Sequence, residues 1–352
     1  MVKRDIIVIG ASAGGLQALS ALLGKLPKDL QASVFVVWHI SPNHRSILPG
    51  VLSRAGKLPA THAVDGEPIR PGRIYVAPPA YHLVLEVDRV RLTKGPKENR
   101  FRPAVDTLFR SAAYAFGPRV IGVVLTGALD DGTAGLWSIK DRGGIAIVQD
   151  PEEAENPSMP ASAKQHVEID YCIPIAQIAE TLIHLTGAPA AETEESPASK
   201  SLEIETRIAF GDNPLKEGIM SLGEASAFTC PECHGALIEI TNGKLVRFRC
   251  HTGHAFSINS LLAELTESTE NTLWSAVRAI DENIMLLDHM AQHARQAEKL
   301  DLAKMLARKS EESKQQADVV RKAAFTQAAV NSEQLDEKES KTGELEKING
   351  TH

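Results

Sequence analysis

The sequence predicts a doubly wound α/β fold: a mostly parallel sheet with helices on both faces and an appended hairpin, followed by a small zinc-ribbon-like module and a helical tail. Three observations carry that expectation. Between residues 5 and 187, short apolar runs alternate with stretches of helical period, the rhythm of strand–helix–strand units. Most of the runs are β-branched and apolar on both phases, which suits strands buried on two faces. After Gly187 the texture changes to Ala, Pro, Ser and Glu, then to a cysteine cluster, then to a proline-free stretch with one apolar stripe.

The predicted strands are DIIVIG (5–10), SVFVVWH (33–39), RVIGVVLTG (119–127), GIAIVQD (144–150) and EIDYCI (168–173). Helical candidates fall at 14–24, 45–55, 104–116, 134–142 and 175–186. The stretch RIYVAPPAYHLVLEVDRVRL (73–92) alternates apolar and polar around Pro78-Pro79 and Asp88-Arg89, which predicts an antiparallel hairpin. These elements make up one domain over residues 1–187. Residues 188–225 read as a linker, because GAPAAETEESPASKS (187–201) has no apolar periodicity. The cysteine cluster occupies 226–258. Over 259–335 a helical hairpin or coiled coil is expected, since Leu273, Val277, Ile280, Ile284 and Leu287 recur at helical spacing. Residues 336–352, rich in Glu, Lys, Ser and Gly, are expected to be a disordered tail.

At 352 residues with 43% hydrophobic and 24% charged residues, the chain has ordinary globular composition and a sizeable core to bury. A net charge of −7 argues against a general nucleic-acid binder. The first apolar stretch is too short for a signal peptide and runs into a glycine turn. No stretch approaches the roughly 18 apolar residues of a membrane span. The expectation is a soluble, cytoplasmic protein. Three of the four cysteines lie close together, which favours metal ligation over a disulfide framework.

The turn after the first strand reads Gly10-Ala11-Ser12-Ala13-Gly14-Gly15. A dinucleotide fingerprint would need a second glycine where Ser12 stands and an acidic residue after the second strand, which instead ends Val37-Trp38-His39. A phosphate loop is excluded because no Gly-Lys-Ser/Thr follows. The turn does satisfy G-x-S-x-G between a strand and a helix, a geometry that projects a serine at the carboxyl edge of a sheet. The helix start behind it offers backbone amides to an oxyanion. A serine capping the helix in a tight turn is the plain alternative.

Partners decide between these readings, because a serine hydroxyl needs a base and the base an orienting carboxylate. His39 ends the second strand, and Asp130 and Asp131 follow the strand VIGVVLTG. A serine, a histidine and an aspartate therefore each follow a different core strand on one edge of the sheet, where sites of open α/β sheets gather. The chain order Ser…His…Asp argues against an α/β-hydrolase. His44, His62 and His82 read as loop or structural residues, Asp106 as a helix cap, and Arg102 and Arg119 as solvated.

The run IGASAGG, the strand-end His39 followed by Ser41-Pro42, FRPAVDTLFRSAA (101–113) and LTGALDDGTAGL (125–136) together resemble the catalytic domain of CheB-type chemotaxis protein-glutamate methylesterases. The resemblance covers roughly residues 4 to 187. It implies Ser12 as nucleophile, His39 as base and Asp131, rather than Asp130, as the carboxylate that orients it. Backbone amides near Ala13 and Ala128 would bind the oxyanion, and no cofactor is needed for catalysis. The implied reaction is hydrolysis of glutamyl methyl esters on chemoreceptor helices with release of methanol, together in many members with deamidation of receptor glutamines. The family turn most often reads GASTGG, and Ala13 here replaces the threonine; Ala-Leu-Asp replaces the more usual Met-Gly-Asn before Asp131. The receiver domain that usually begins such chains is also not expected here, so control by its own receiver is not expected either. Two other classes stay open at this point: a non-enzymatic signalling scaffold, and a serine hydrolase acting on another ester or amide.

FTCPECHG and VRFRCHTGHAF give Cys230-x₂-Cys233, sixteen intervening residues, then Cys250-x₃-His254. Two such knuckles can place four ligands tetrahedrally around a structural zinc, with His251 and then His234 as alternative fourth ligands. ALIEITNGKLVRF reads as a hairpin turning at Asn242-Gly243. A redox pair, or nucleic-acid binding through Lys244, Arg247 and Arg249, are the competing readings. Cys172 sits in a core strand and reads as inert. The ribbon and tail are expected to form a docking, self-association or regulatory module whose removal from residue 200 onward leaves a folded esterase.

Overall fold

The computed structural model describes residues 3–40, 46–190 and 198–326. Ser41, Pro42, His44 and the expected tail at 336–352 lie outside the described residues. The chain divides into two units, Met1–Leu261 and Leu262–His352.

In the first unit, a seven-stranded parallel sheet is built from β1 (Ile6–Ala11), β2 (Ser33–Trp38), β3 (Ala60–His62), β4 (Arg73–Val76), β7 (Val120–Val124), β8 (Ile145–Gln149) and β9 (Tyr171–Ile173), in the order β3-β4-β2-β1-β7-β8-β9. From β1 the chain lays β2 beside it, β3 at the edge and β4 between them on one side, then crosses to β7, β8 and β9 on the other. The switch point of the topology therefore lies at β1, where ligands of doubly wound sheets bind. β1 is buried along its whole length because its two faces meet different cores. Ile7 and Ile9 pack under α1 (Gly15–Leu23), α2 (Leu48–Ala55) and α6 (Ile175–Gly187). Ile6 and Val8 pack under α3 (Val105–Phe116), α4 (Thr133–Asp141) and α5 (Ser158–His166). Each fully buried Ile, Val or Leu contributes about 1.5–3 kcal/mol relative to its exposed state, and this double burial is what the two-phase apolar runs encode.

Two expectations are corrected. The hairpin predicted over 73–92 is split: Arg73–Val76 is a parallel strand of the main sheet beside β2, and only β5 (His82–Leu85) and β6 (Val90–Thr93) form the appended hairpin. Ile74, Tyr75 and Val76 are buried in succession, so RIYV behaves as a two-faced core strand, and Pro78-Pro79 marks its end. The span read as a linker contains α7 (Lys200–Phe210), capped by the hydroxyl of Ser199 on the Leu202 amide. Leu202 joins the core beneath α3, and Glu205 and Thr206 are buried. The apolar positions of α7 are few, and charged pairing completes its docking.

The cysteine-rich segment is a four-stranded antiparallel sheet, β10 (Glu224–Thr229), β11 (Ala236–Asn242), β12 (Leu245–Cys250) and β13 (Ala255–Ser257). β11 and β12 meet at a two-residue turn whose Gly243 has φ 62°, the left-handed conformation that tight hairpins require. This sheet is not a free module. Ala255 pairs with Glu98 of the first domain, and Asn99 N donates to Ala255 O at 2.8 Å. α8 (Ile258–Gln296) begins directly after β13.

In the second unit the remainder of α8 turns back into α9 (Leu300–Thr326). Leu287, Ala291 and Ala294 pack against Ala303 and Leu306. Trp274 meets Phe325 edge to face, and both carboxylate oxygens of Asp281 accept from Arg321 Nη2. Among the described residues no helix is long and apolar enough to cross a membrane.

Candidate active site

Ser12 is the first residue beyond β1. Gly14, at φ 72°, is the N-cap of α1, and its left-handed backbone allows the chain to reverse from strand into helix within three residues. Ser12 N donates to Thr126 O at 3.0 Å, and Ser12 O accepts from Gly15 N at 3.0 Å and Trp38 Nε1 at 2.8 Å. The serine backbone is thereby fixed to α1, β2 and the β7 turn at once. Gly127 leaves room for this approach: a β-carbon there would stand 2.7 Å from Ser12 Cβ and 2.1 Å from Met159 Sδ. Ser12 Oγ makes no hydrogen bond to any described residue, as is common for catalytic contacts before substrate binds.

His39 prolongs β2, its amide donating to Ala11 O at 3.1 Å. Its Nε2 lies 2.8 Å from Asp131 Oδ2, and the two side chains are 3% and 1% exposed. The Phe101 ring stacks on the imidazole at 3.8 Å with planes 7° apart. Nδ1 is buried without a hydrogen-bond partner among the described residues, so one ring nitrogen is tied to the carboxylate and the other is available.

Asp131 sits at the N-terminus of α3. Its Oδ2 accepts from Val105 N at 2.7 Å and its Oδ1 from Asp106 N at 3.1 Å and Asn99 Nδ2 at 2.9 Å. Burial alone would push its carboxyl pKa up, but the hydrogen bonds from His39 and Asn99, the His39 charge and the α3 amides outweigh that and hold it below the usual carboxylate range. Asp106 returns the contact: its Oδ1 accepts from Gly132 N at 3.0 Å and Gly135 N at 2.6 Å, at the start of α4. Burial, and next the facing Asp131 carboxylate, push Asp106 up to about 7. Asp130, the alternative acid, does not face His39; its Oδ1 accepts from Ser257 Oγ at 2.6 Å.

His62, His82, Arg102 and Arg119 have structural partners. His82 is buried with Nε2 on Pro96 O and Nδ1 accepting from Ala104 N, and His62 Nδ1 lies 3.4 Å from Val76 O. Arg102 donates to the carbonyls of Lys94 and Gly95, and Arg119 clasps Asp5, so neither is a freely solvated guanidinium. The amides of Ala13 and Ala128, the expected oxyanion donors, bond to no acceptor among the described residues. Asn99, Phe101 and Trp38 were not marked by sequence reasoning. Phe101 opens the FRPAVD stretch and Asn99 lies two residues before it, but no periodicity signals an aromatic stack on a histidine or an amide wedged between two carboxylates.

The Sγ atoms of Cys230, Cys233 and Cys250 and a ring nitrogen of His254 lie within 4.8 Å of one another. Cys233 and Cys250 sulfurs are 3.6 Å apart, and His254 Nδ1 is 3.6 Å from Cys250 Sγ and 3.8 Å from Cys230 Sγ. Tetrahedral zinc with ordinary bond lengths separates such ligand atoms by about 3.6–3.8 Å, so the donor set fits a structural metal. His251 is not in the cluster; its ring lies against Gly235. All four cysteines are free of disulfides.

Fold and constellation define a class: a doubly wound α/β domain with a serine, a histidine and a buried carboxylate at its switch point. The CheB methylesterase family profile matches residues 7–182, and the chain belongs to that family. A Leptospira interrogans protein is 39% identical over 185 residues, covering 52% of this chain and 96% of its own. A protein of Anaeromyxobacter dehalogenans named protein-glutamate methylesterase/protein-glutamine glutaminase 2 is 40% identical over 184 residues, 52% of this chain and 54% of that one. The crystal structure of the Thermotoga maritima CheB methylesterase catalytic domain superposes with a TM-score of 0.51 at 37% identity, covering 52% of this chain and all of that one.

Proposed function

We propose that this chain hydrolyses glutamyl methyl esters on chemoreceptors in the cytoplasm, releasing methanol, and deamidates receptor glutamines by the same route. Ser12 is the nucleophile, His39 its base and Asp131 the group that orients the base. The observation that carries this is the buried His39–Asp131 pair with an unpartnered Nδ1, one strand away from a serine whose backbone is pinned on three sides. The names of the relatives supply the ester and the amide.

Ser12 Oγ bonds to the ester carbonyl carbon as its proton passes to His39. The oxyanion is met by the amides of Ala13 and Ala128. Collapse breaks the acyl–oxygen bond, and methanol leaves with the proton from His39. Water, deprotonated by His39, then cleaves the acyl-serine to glutamate and restores Ser12. With glutamine the leaving group is ammonia. Asp131 stabilises the imidazolium formed in each half, a contribution that in comparable triads is worth about 10⁴-fold in rate. No cofactor takes part. Cys230, Cys233, Cys250 and His254 are read as a structural zinc site, which would stabilise the sheet alongside its contacts to the first domain.

Methanol release from methylated chemoreceptor in membranes tests the proposal. The intact protein is expected to release it and Ser12→Ala to abolish release while remaining folded. Equal release by both would remove Ser12 from the mechanism, and no release by either would remove the receptor as substrate.

A further inference from the structure

We propose that the cysteine-rich sheet is a positioning element for the active site, acting through Asn99. The inference rests on the reading of Ser12, His39 and Asp131 above and adds to it a positioning residue, Asn99, and a control point, Ser257 and Ser260, that lies outside the catalytic domain.

The side-chain amide of Asn99 is fully used. Nδ2 donates one hydrogen to Asp131 Oδ1 at 2.9 Å and the other to Asp106 Oδ2 at 2.8 Å. Oδ1 accepts from Ser257 N at 2.9 Å and from Ser260 Oγ at 3.1 Å. A rotation of the amide by half a turn would set its oxygen against two carboxylates and its nitrogen against a backbone N–H. The Ser257–Ser260 side thus decides which way Asn99 points, and Asn99 holds the carboxylate that orients His39. Asn99 and Ser260 are buried, at 4% and 0% exposure, so water does not substitute readily for either contact.

The backbone repeats the connection. Asn99 and Arg100 have φ of 48° and 76°, a left-handed pair that non-glycine residues adopt only when the surroundings hold them. Here the holding group is β13: Asn99 N donates to Ala255 O, and Ala255 N to Lys97 O. The next residue, Phe101, stacks on His39. A single short segment therefore delivers Asn99 to Asp131 and Phe101 to His39, and its conformation is set by β13. That strand follows Cys250 and His254 directly, and Cys250 N donates to His254 O across the turn between them. The same turn carries two of the four clustered ligands. The cluster is thus placed to hold β13 in register, and with it the triad.

The test compares the full chain with Asn99→Ala, Ser260→Ala and the double variant. Turnover is referred to Ser12 sites titrated with a fluorophosphonate, and the His39–Asp131 proton is followed as a downfield imidazole resonance. Each single variant is expected to lower kcat per titrated site about tenfold with KM unchanged and to shift the resonance. The double variant should fall no further than Asn99→Ala, because both act on one contact. Ser260→Thr, which keeps the hydroxyl, should restore the resonance and the rate. Withdrawal of zinc from the unsubstituted protein should broaden the resonance in step with metal loss. Unchanged kcat and resonance in Asn99→Ala and Ser260→Ala, or fully additive losses, would overturn the proposal. If the unsubstituted protein is not labelled at Ser12, the esterase reading fails instead, and the resonance still reports whether β13 holds Asp131.

Discussion

Gly127 shows how little slack surrounds Ser12, the proposed nucleophile. Its own amide donates to Asn156 O and its carbonyl accepts from Met159 N at 2.9 Å, so the backbone cannot retreat. A methyl group added there would overlap Met159 Sδ and press on Ser12 Cβ. Overpacking of a buried site costs about 1–3 kcal/mol, and a displacement near 1 Å at a reacting group can cost about 10²-fold in rate. Gly127→Ala is therefore expected to lower both the melting temperature and the rate of fluorophosphonate labelling. Adding Met159→Ala removes the sulfur overlap at the cost of a core cavity, and should not return the labelling rate, since the pressure on Ser12 stays. Recovery of both would show that the serine is not the atom that matters. Ser12, His39 and the pair Asp130-Asp131 were legible as candidates because each follows a strand, and parallel strands bring such positions to one edge; the choice of Asp131 came from the family resemblance. Asn99 was not legible, because what orients its amide is a contact 158 positions later, with Ser257, and nothing in the sequence signals that the Phe101 ring stacks on His39.

At the scale of elements, α3 and α4 cap each other. Neither has a side-chain cap of its own, and their first residues follow Ala104 and Gly132. Asp131, just before α4, accepts the first amides of α3, and Asp106, in the first turn of α3, accepts those of Gly132 and Gly135. Each carboxylate lies at the positive end of the other element's dipole. Sequence reading identifies Asp106 as a cap, but places it on its own helix; the partner across the space needs the fold. Removal of a buried cap costs about 1–3 kcal/mol. Asp106→Ala is accordingly expected to lower stability by about 2 kcal/mol, and to slow turnover by less than tenfold, because Asp131 keeps His39, Val105 and Asn99. A loss of turnover as large as that of an Asp131 substitution would mean that Asp106 acts in the chemistry itself. The same dependence on long-range partners explains why residues 200–210 read as linker. Ile204, Leu202 and Ile208 are its main apolar anchors, and Glu205, an unpromising residue for a buried helix face, is matched only by arginines from other elements.

Across the whole first unit, those arginines join three segments that the sequence keeps apart. Glu98 precedes the left-handed pair and Arg110 lies on α3; Glu205 lies on α7, and Arg247 and Arg249 lie on β12. Arg110 pairs with Glu98 and Arg249 reaches it at 2.8 Å, while Arg247 and Arg249 reach Glu205 at 2.8 and 3.0 Å. All five are buried, so the expectation of a separable extension from residue 200 onward gives way to one continuous body through Leu261. Breaking such a cluster by removing one partner costs about 3–5 kcal/mol. The cluster also fixes how stability varies with pH. Burial pushes Glu205 and Glu98 up, but the surrounding guanidinium groups outweigh it and leave both below the ordinary 4.5. Their contribution is therefore complete above about pH 4.5 and is lost as pH falls through the depressed folded values. Asp106 runs the other way. With a folded value of about 7 against an ordinary 3.8, it binds more proton folded than unfolded between those limits. Stability must then decline as pH rises through that window, by at most about 1.4 kcal/mol per pH unit. Chemical denaturation against pH should show an acid limb and a gentler neutral limb, with a maximum near pH 5. Glu205→Gln should flatten the acid limb at the expense of stability at pH 7, where three arginines lose a countercharge. Asp106→Asn should flatten the neutral limb and leave the acid one in place. An acid limb that survives Glu205→Gln unchanged would show that the buried charges do not weld the sheet to the esterase domain.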